Sequence, residues 1–181
     1  MFKFITTKIK NLYVIEPQIH SDKRGYFFEM YKKEDFDKAG LVYNFVQDNQ
    51  SQSVKGVLRG LHFQKHFQQA KLVRVISGEV FDVAVDLRKN SPTYGQWFGI
   101  VLSGDNKKML MIPRGFAHGF VVLSDIAVFA YKCDNFYHRE DEGAIAWNDP
   151  DINIEWPLKD GIILSEKDMS HPTLKDSKPE L

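Results

Sequence analysis

The feature that most constrains this chain is a succession of short apolar strands set apart by tight turns. LVRVI runs into Ser77-Gly78, EVFDVAVDL follows directly, and QWFGIVL, the turn SGDN and KMLMI come next. GFVVL, VFAYKC and AIAW continue the rhythm. Runs rich in β-branched and aromatic residues at this spacing leave no room for the dozen-residue crossovers that parallel pairing requires, so the strands pair antiparallel. Fourteen Phe, seven Tyr and three Trp agree with an all-β architecture. The expected fold is an antiparallel sandwich or jelly-roll barrel with a few short peripheral helices.

The chain has 181 residues, 43% of them hydrophobic, which suits one domain spanning 1–181. KKEDFDKAG offers one helix, acidic early and closed by Gly40, while the polar tail at 172–181 is expected to fray. Lys plus Arg and Asp plus Glu both count 24, so no broad nucleic-acid surface is indicated. No window has the apolar length of a membrane span, and MFKFITTKIKNLYVIEP lacks a signal-peptide core. A lone cysteine, Cys133, forms no intrachain disulfide, and the expected location is the cytoplasm.

In EVFDVAVDL, Phe81, Val83, Val85 and Leu87 share one face, and Asp82, Ala84 and Asp86 share the other. The plain expectation for these aspartates is solvent or a neighbouring strand; the alternative has them line the mouth of a barrel. Arg59 and His62 in VLRGLHFQ, Lys71 in AKLVRV, His118 in IPRGFAHGF and Tyr131 in VFAYK are polar groups in apolar strand context. Each alone has an ordinary structural explanation, but a barrel points alternate residues of many strands into one cavity.

Metal-holding barrels usually carry two histidines one residue apart. Here the run is His62-Phe63-Gln64, and His66 is four residues on in a segment with no helix start, so no catalytic metal and no cofactor are expected. No G-x-S-x-G elbow or phosphate-binding glycine motif occurs, and Cys133 has no evident histidine partner. What remains is proton chemistry by His, Lys and Tyr.

VLRGLHFQ, KLVRVISGEVFDVAVDLRKNSPTYGQW, IPRGFAHGF, YKCDNFYHREDEGAIAWNDP and INIEWPL together resemble the dTDP-4-dehydrorhamnose 3,5-epimerases, from RGYFFE through LSEKD. The resemblance implies a cupin-like jelly roll without cofactor that epimerises a dTDP-linked 4-keto-6-deoxy sugar at C3 and C5. It implies His62 as base, Asp168 as its orienting carboxylate, Tyr131 as the acid on the other face and Lys71 at the C4 oxygen. It places His118 and Arg59 near the sugar and diphosphate, assigns Arg24, Glu29, Gln47, Asn49, Glu142 and Lys167 to the nucleotide, and stacks Tyr137 on thymine. It also implies a homodimer in which Arg24 or Glu29 serves the neighbouring site. The alternatives are an epimerase of one carbon in a related dTDP-4-keto sugar, and a jelly roll that binds sugar nucleotides without turnover.

Two features of the residues bear on this. Strict alternation puts Arg59 and His62 on opposite faces, so a shared pocket demands a bend or bulge, with Gly60 the natural place. Ser165-Glu-Lys-Asp168 also reads as a helix capping box, a role compatible with orienting a histidine.

Overall fold

In the computed structural model, which describes residues 1–177, 179 and 181, two antiparallel sheets face each other. The six-stranded sheet runs β1 (Phe2–Thr6), β2 (Tyr13–Pro17), β10 (Met109–Ile112), β7 (Lys71–Ser77), β12 (Ile126–Cys133) and β5 (Gln47–Val54). The five-stranded sheet runs β13 (Glu142–Ala144), β6 (Leu58–Gln64), β11 (Phe116–Val122), β8 (Glu79–Asp86) and β9 (Trp97–Ser103). A small exposed hairpin joins β3 (His20–Asp22) to β4 (Gly25–Phe27). AIAW is not the strand expected: β13 ends at Ala144, although Ile145 still exchanges backbone hydrogen bonds with Leu61.

Three apolar layers follow from alternation along these strands. Between the sheets lie Val73, Val75, Val80, Ala84, Leu110, Phe120 and Phe129. Outside the six-stranded sheet, Phe36 of helix α1 (Lys33–Lys38) covers Ile15, Leu72, Met109 and Met111. This is the helix expected from KKEDFDKAG: Gly40 adopts φ +79°, and its N–H donates to Asp37 O to close the turn. Outside the five-stranded sheet, Val83, Val85 and Leu87 are covered by Ile145, Ile152 and the C-terminal segment.

That third layer corrects one expectation and narrows another. The tail does not hang free in its described residues: helix α3 (Leu174–Ser177) forms, Leu181 exchanges backbone hydrogen bonds with Leu87 and Lys89, and Tyr94 donates to Pro179 O. With the Val83 face covered from outside, the aspartate face of β8 turns inward instead of to solvent. Asp82 and Asp86 are both fully buried, Asp86 held by Arg88, Ser91 and Thr93. Among the described residues no helix is long and apolar enough to cross a membrane.

The bend required at Gly60 is present. β6 pairs with β11 so that His62 faces His118 and Arg59 faces Phe120, which sets three residue steps on one strand against two on the other. The extra residue returns Arg59 and His62 to one face. Gly60 sits at φ +126°, and a Cβ built there would lie 2.6 Å from Gly119 Cα and 2.8 Å from His118 O. Gly60→Ala therefore adds left-handed strain to a backbone clash. The substitution is expected to cost about 2–5 kcal/mol in urea unfolding, and a loss below about 0.5 kcal/mol would contradict this account of the bulge.

Candidate functional site

A cavity of about 430 Å³ opens between the sheets. His62, Arg59 and His118 reach it from the five-stranded sheet, and Asn49, Lys71 and Tyr131 from the six-stranded sheet. Helix α2 (Glu166–Met169) closes one side with Lys167 and Asp168. The cross-strand register explains this convergence. Asn49, Tyr131 and Val73 stand in one row, and Gln47, Cys133 and Lys71 in the next, so their side chains share the inner face.

Asp168 is both a cap and a partner. Its backbone N–H donates to Ser165 Oγ at 3.1 Å, while its carboxylate accepts from Ser165 Oγ at 2.6 Å and from His62 Nε2 at 2.7 Å. Burial acts to raise its pKa, but hydrogen bonds from His62 and Ser165 and the histidine's charge outweigh burial and hold it at about 2. An ionised carboxylate can only accept, so Nε2 of His62 carries the proton. In the ring's neutral form the lone pair is therefore on Nδ1.

On the facing wall, burial is the main cause that pushes the Tyr131 phenol above its ordinary pKa, leaving it protonated and able to donate. Lys71 Nζ lies 5.9 Å from the centre of the Tyr131 ring. Desolvation lowers the Lys71 pKa, opposed by the nearby Cys133 and Asp82, and the ammonium makes no ion pair among the described residues. Burial pushes the Cys133 thiol up to about 11, which removes it as a nucleophile at neutral pH.

Asp82 belongs to this centre, although sequence reading gave its strand face no settled role. Its Oδ2 shares a 2.9 Å hydrogen bond with His118 Nε2, and its Oδ1 is buried without a partner among the described residues. The available signal was the Asp-x-Ala-x-Asp alternation, read there as facing solvent or holding a neighbouring strand, and the second is what Asp82 does with His118 of β11. His66, four residues after His62, lies elsewhere: it is exposed and pairs with Asp141 at 2.7 Å.

At the rim, Glu142 Oε2 accepts from Tyr137 Oη at 2.7 Å and from Lys167 Nζ at 2.6 Å. Gln47 Oε1 accepts from the Tyr137 backbone N–H, and Gln47 Nε2 donates to Asn49 Oδ1. Ser53 Oγ holds the Arg59 guanidinium. Arg24 and Glu29 are not brought to this cavity within the chain. Arg24 is on the exposed hairpin, paired with Asp22, and Glu29 faces the N-terminal amine at 3.9 Å.

The family described as dTDP-4-dehydrorhamnose 3,5-epimerase matches residues 6–176. The chain belongs to the dTDP-4-dehydrorhamnose 3,5-epimerase family. It is 53% identical over 178 residues to the epimerase of Methanothermobacter thermautotrophicus, covering 97% of this chain and 96% of that one. The crystal structure of the Elizabethkingia anophelis enzyme superposes with a TM-score of 0.93 at 53% identity, over 97% of both chains. That of Legionella pneumophila, solved with dTDP-4-keto-L-rhamnose, superposes at 0.94 and 51% identity, over 97% of this chain and 94% of that one. The jelly-roll-like fold and the isomerase class both follow from this membership.

The depressed pKa of Asp168 has a sign. Its folded value lies below the unfolded one, so its contribution is full above about pH 4 and is lost as pH falls toward 2. Asp168→Asn is expected to cost about 2 kcal/mol at pH 7. In urea titrations across pH the gap between the two proteins should close between about pH 4 and pH 2, whereas a constant gap would contradict the ionised pair.

Proposed function

We propose that His62, oriented by Asp168, removes the protons beside the C4 ketone of a dTDP-linked 4-keto-6-deoxy sugar, and that Tyr131 returns a proton to the opposite face. The observation that carries this reading is that the imidazole and the phenol come from opposing sheets into one cavity. Inversion at carbon needs a donor across the ring from the base, since one base alone would return the proton to the face it left.

A carbon acid beside a ketone is weaker than imidazolium by on the order of ten pKa units, roughly 14 kcal/mol. His62 therefore needs the enolate stabilised. Lys71 supplies a fixed cation in a desolvated site, where it favours the developing oxyanion over the neutral ketone. Asp168 stabilises the imidazolium that forms on His62, and Asp82 holds His118 in place beside the sugar. Arg59 serves the diphosphate, and Gln47, Asn49, Glu142 and Lys167 the nucleotide, with the exposed Tyr137 ring stacking on thymine. No metal or other cofactor is assigned to the reaction.

Arg24 and Glu29 are read as contributions to a neighbouring subunit. Their distance from the cavity and the exposed Tyr26 and Phe27 on the same hairpin support a homodimer built through that arm. A cytoplasmic location and a single 1–181 domain complete the proposal.

The test is incubation with the 4-keto sugar nucleotide in D2O with EDTA, following deuterium at C3 and C5 by NMR. Label at both carbons is expected; label at one carbon shows a single-centre epimerase, and none shows a binding protein. His62→Ala should lower exchange at both carbons by roughly 10²–10⁴-fold. Tyr131→Phe should retain wash-in while losing completed inversion, and Lys71→Met should lose about 10²–10³ in rate. Unimpaired wash-in and turnover in the His62 and Tyr131 variants would overturn their roles.

A further inference from the structure

His171 follows α2 and lies against the base pair. Its side chain is only 6% exposed, yet neither ring nitrogen has a hydrogen-bond partner among the described residues. Buried polar atoms are nearly always satisfied, so two bare nitrogens on one ring call for an occupant. The ring stands edge-on to His62, centroids 5.3 Å apart at 78°, and Nδ1 lies 3.9 Å from Asp168 Oδ1. One donor atom from each of His62, Asp168 and His171 falls within 4.8 Å of the other two.

We propose that His62, Asp168 and His171 form a binding site for a divalent cation of the zinc type, and that filling it inhibits the enzyme. Two imidazoles and one carboxylate are a ligand set that zinc favours, with a fourth position left for water or a substrate oxygen. Tetrahedral ligands about 2.0–2.1 Å from the ion stand about 3.4 Å from one another. The His62–Asp168 contact at 2.7 Å must open and the His171–Asp168 contact at 3.9 Å must close, each by roughly 0.5–0.7 Å. Among the described residues no hydrogen bond holds the His171 ring against that rotation. His62 and Asp168 line the cavity, so the ion enters by the substrate's own route.

Inhibition follows from the count of lone pairs. A neutral imidazole has one proton and one lone pair, and whichever nitrogen binds the ion, the other keeps the proton. His62 then has nothing with which to accept a proton from carbon. Mg²⁺ and Ca²⁺, which prefer oxygen ligands, do not compete for such a site. Binding rests on the three side chains alone, while inhibition rests on His62 being the base.

The experiment titrates ZnCl₂ into the full chain carrying ¹⁵N-labelled histidine and reads the ring nitrogens by NMR, with the D2O exchange assay run in parallel and EDTA added last. One equivalent should perturb His62 and His171 but not His20, His66, His118 or His138, with exchange lost at the same midpoint and restored by EDTA. His171→Phe, scored against its own metal-free rate, should weaken both midpoints at least about tenfold. Shifts confined to the other four histidines, or an unchanged midpoint in His171→Phe, would overturn the site. If that variant does not fold, the wild-type spectrum alone decides. Zinc on His62 and His171 with exchange undiminished would instead overturn inhibition and the base assignment, leaving the binding site standing.

Discussion

The close approach of Gly60 to Gly119 is the constraint on which the rest of the site depends. In a regular strand every second residue of β6 would face inward, and Arg59 and His62 would stand on opposite sides of the sheet. One extra residue, accommodated where the backbone takes a positive φ and no Cβ can fit, restores both to the cavity face. The same turn aims the Gly60 N–H at Asp168 Oδ1, 3.4 Å away. A backbone irregularity thus sets the direction of the imidazole and adds a donor to the carboxylate that holds it.

Around that bend, the two walls give their titratable groups different treatment. The Asp168 carboxylate is buried but surrounded by donors, and stays charged. Tyr131 is buried, which raises its pKa, and stays neutral. Lys71 makes no ion pair among the described residues, and although desolvation lowers its pKa, Asp82 and Glu142 act to keep its charge for the oxygen that gains negative charge in the proposed reaction. Opposite shifts of Asp168 and Tyr131 are how one small cavity keeps a base orienter ionised and an acid protonated at one pH. Asp82, fully buried and bonded to His118, adds a further carboxylate beside the cavity, its Oδ1 without a partner among the described residues.

How much of this was legible depended on the local signal. The strands from β7 to β12 were legible because apolar alternation and tight turns are encoded within a few residues, and α1 because its charges and Gly40 mark its ends. β5 was not: QDNQSQSV has poor strand propensity, and only pairing with β12 makes it a strand. Its inward residues Gln47 and Asn49 entered the candidate site through family resemblance alone. The faces of β8 misled for a related reason. Alternation says that two faces differ, but the residues that cover Val83 and Val85 come from beyond residue 144, so the sequence of the strand does not say which face is wet. His171 carried no local pattern; its importance lies in what the fold leaves unpaired.

The central claim is that base and acid address opposite faces of one sugar ring. It is tested most directly by the crystal structure of this enzyme with a dTDP-linked 4-keto-6-deoxy sugar, or an unreactive analogue, in the cavity. The account requires His62 Nδ1 within about 3–3.5 Å of a carbon next to C4 on one side of the ring, Tyr131 Oη on the other side, and Lys71 Nζ toward O4. A bound sugar with His62 and Tyr131 on the same face, or with Lys71 turned away from O4, would contradict it.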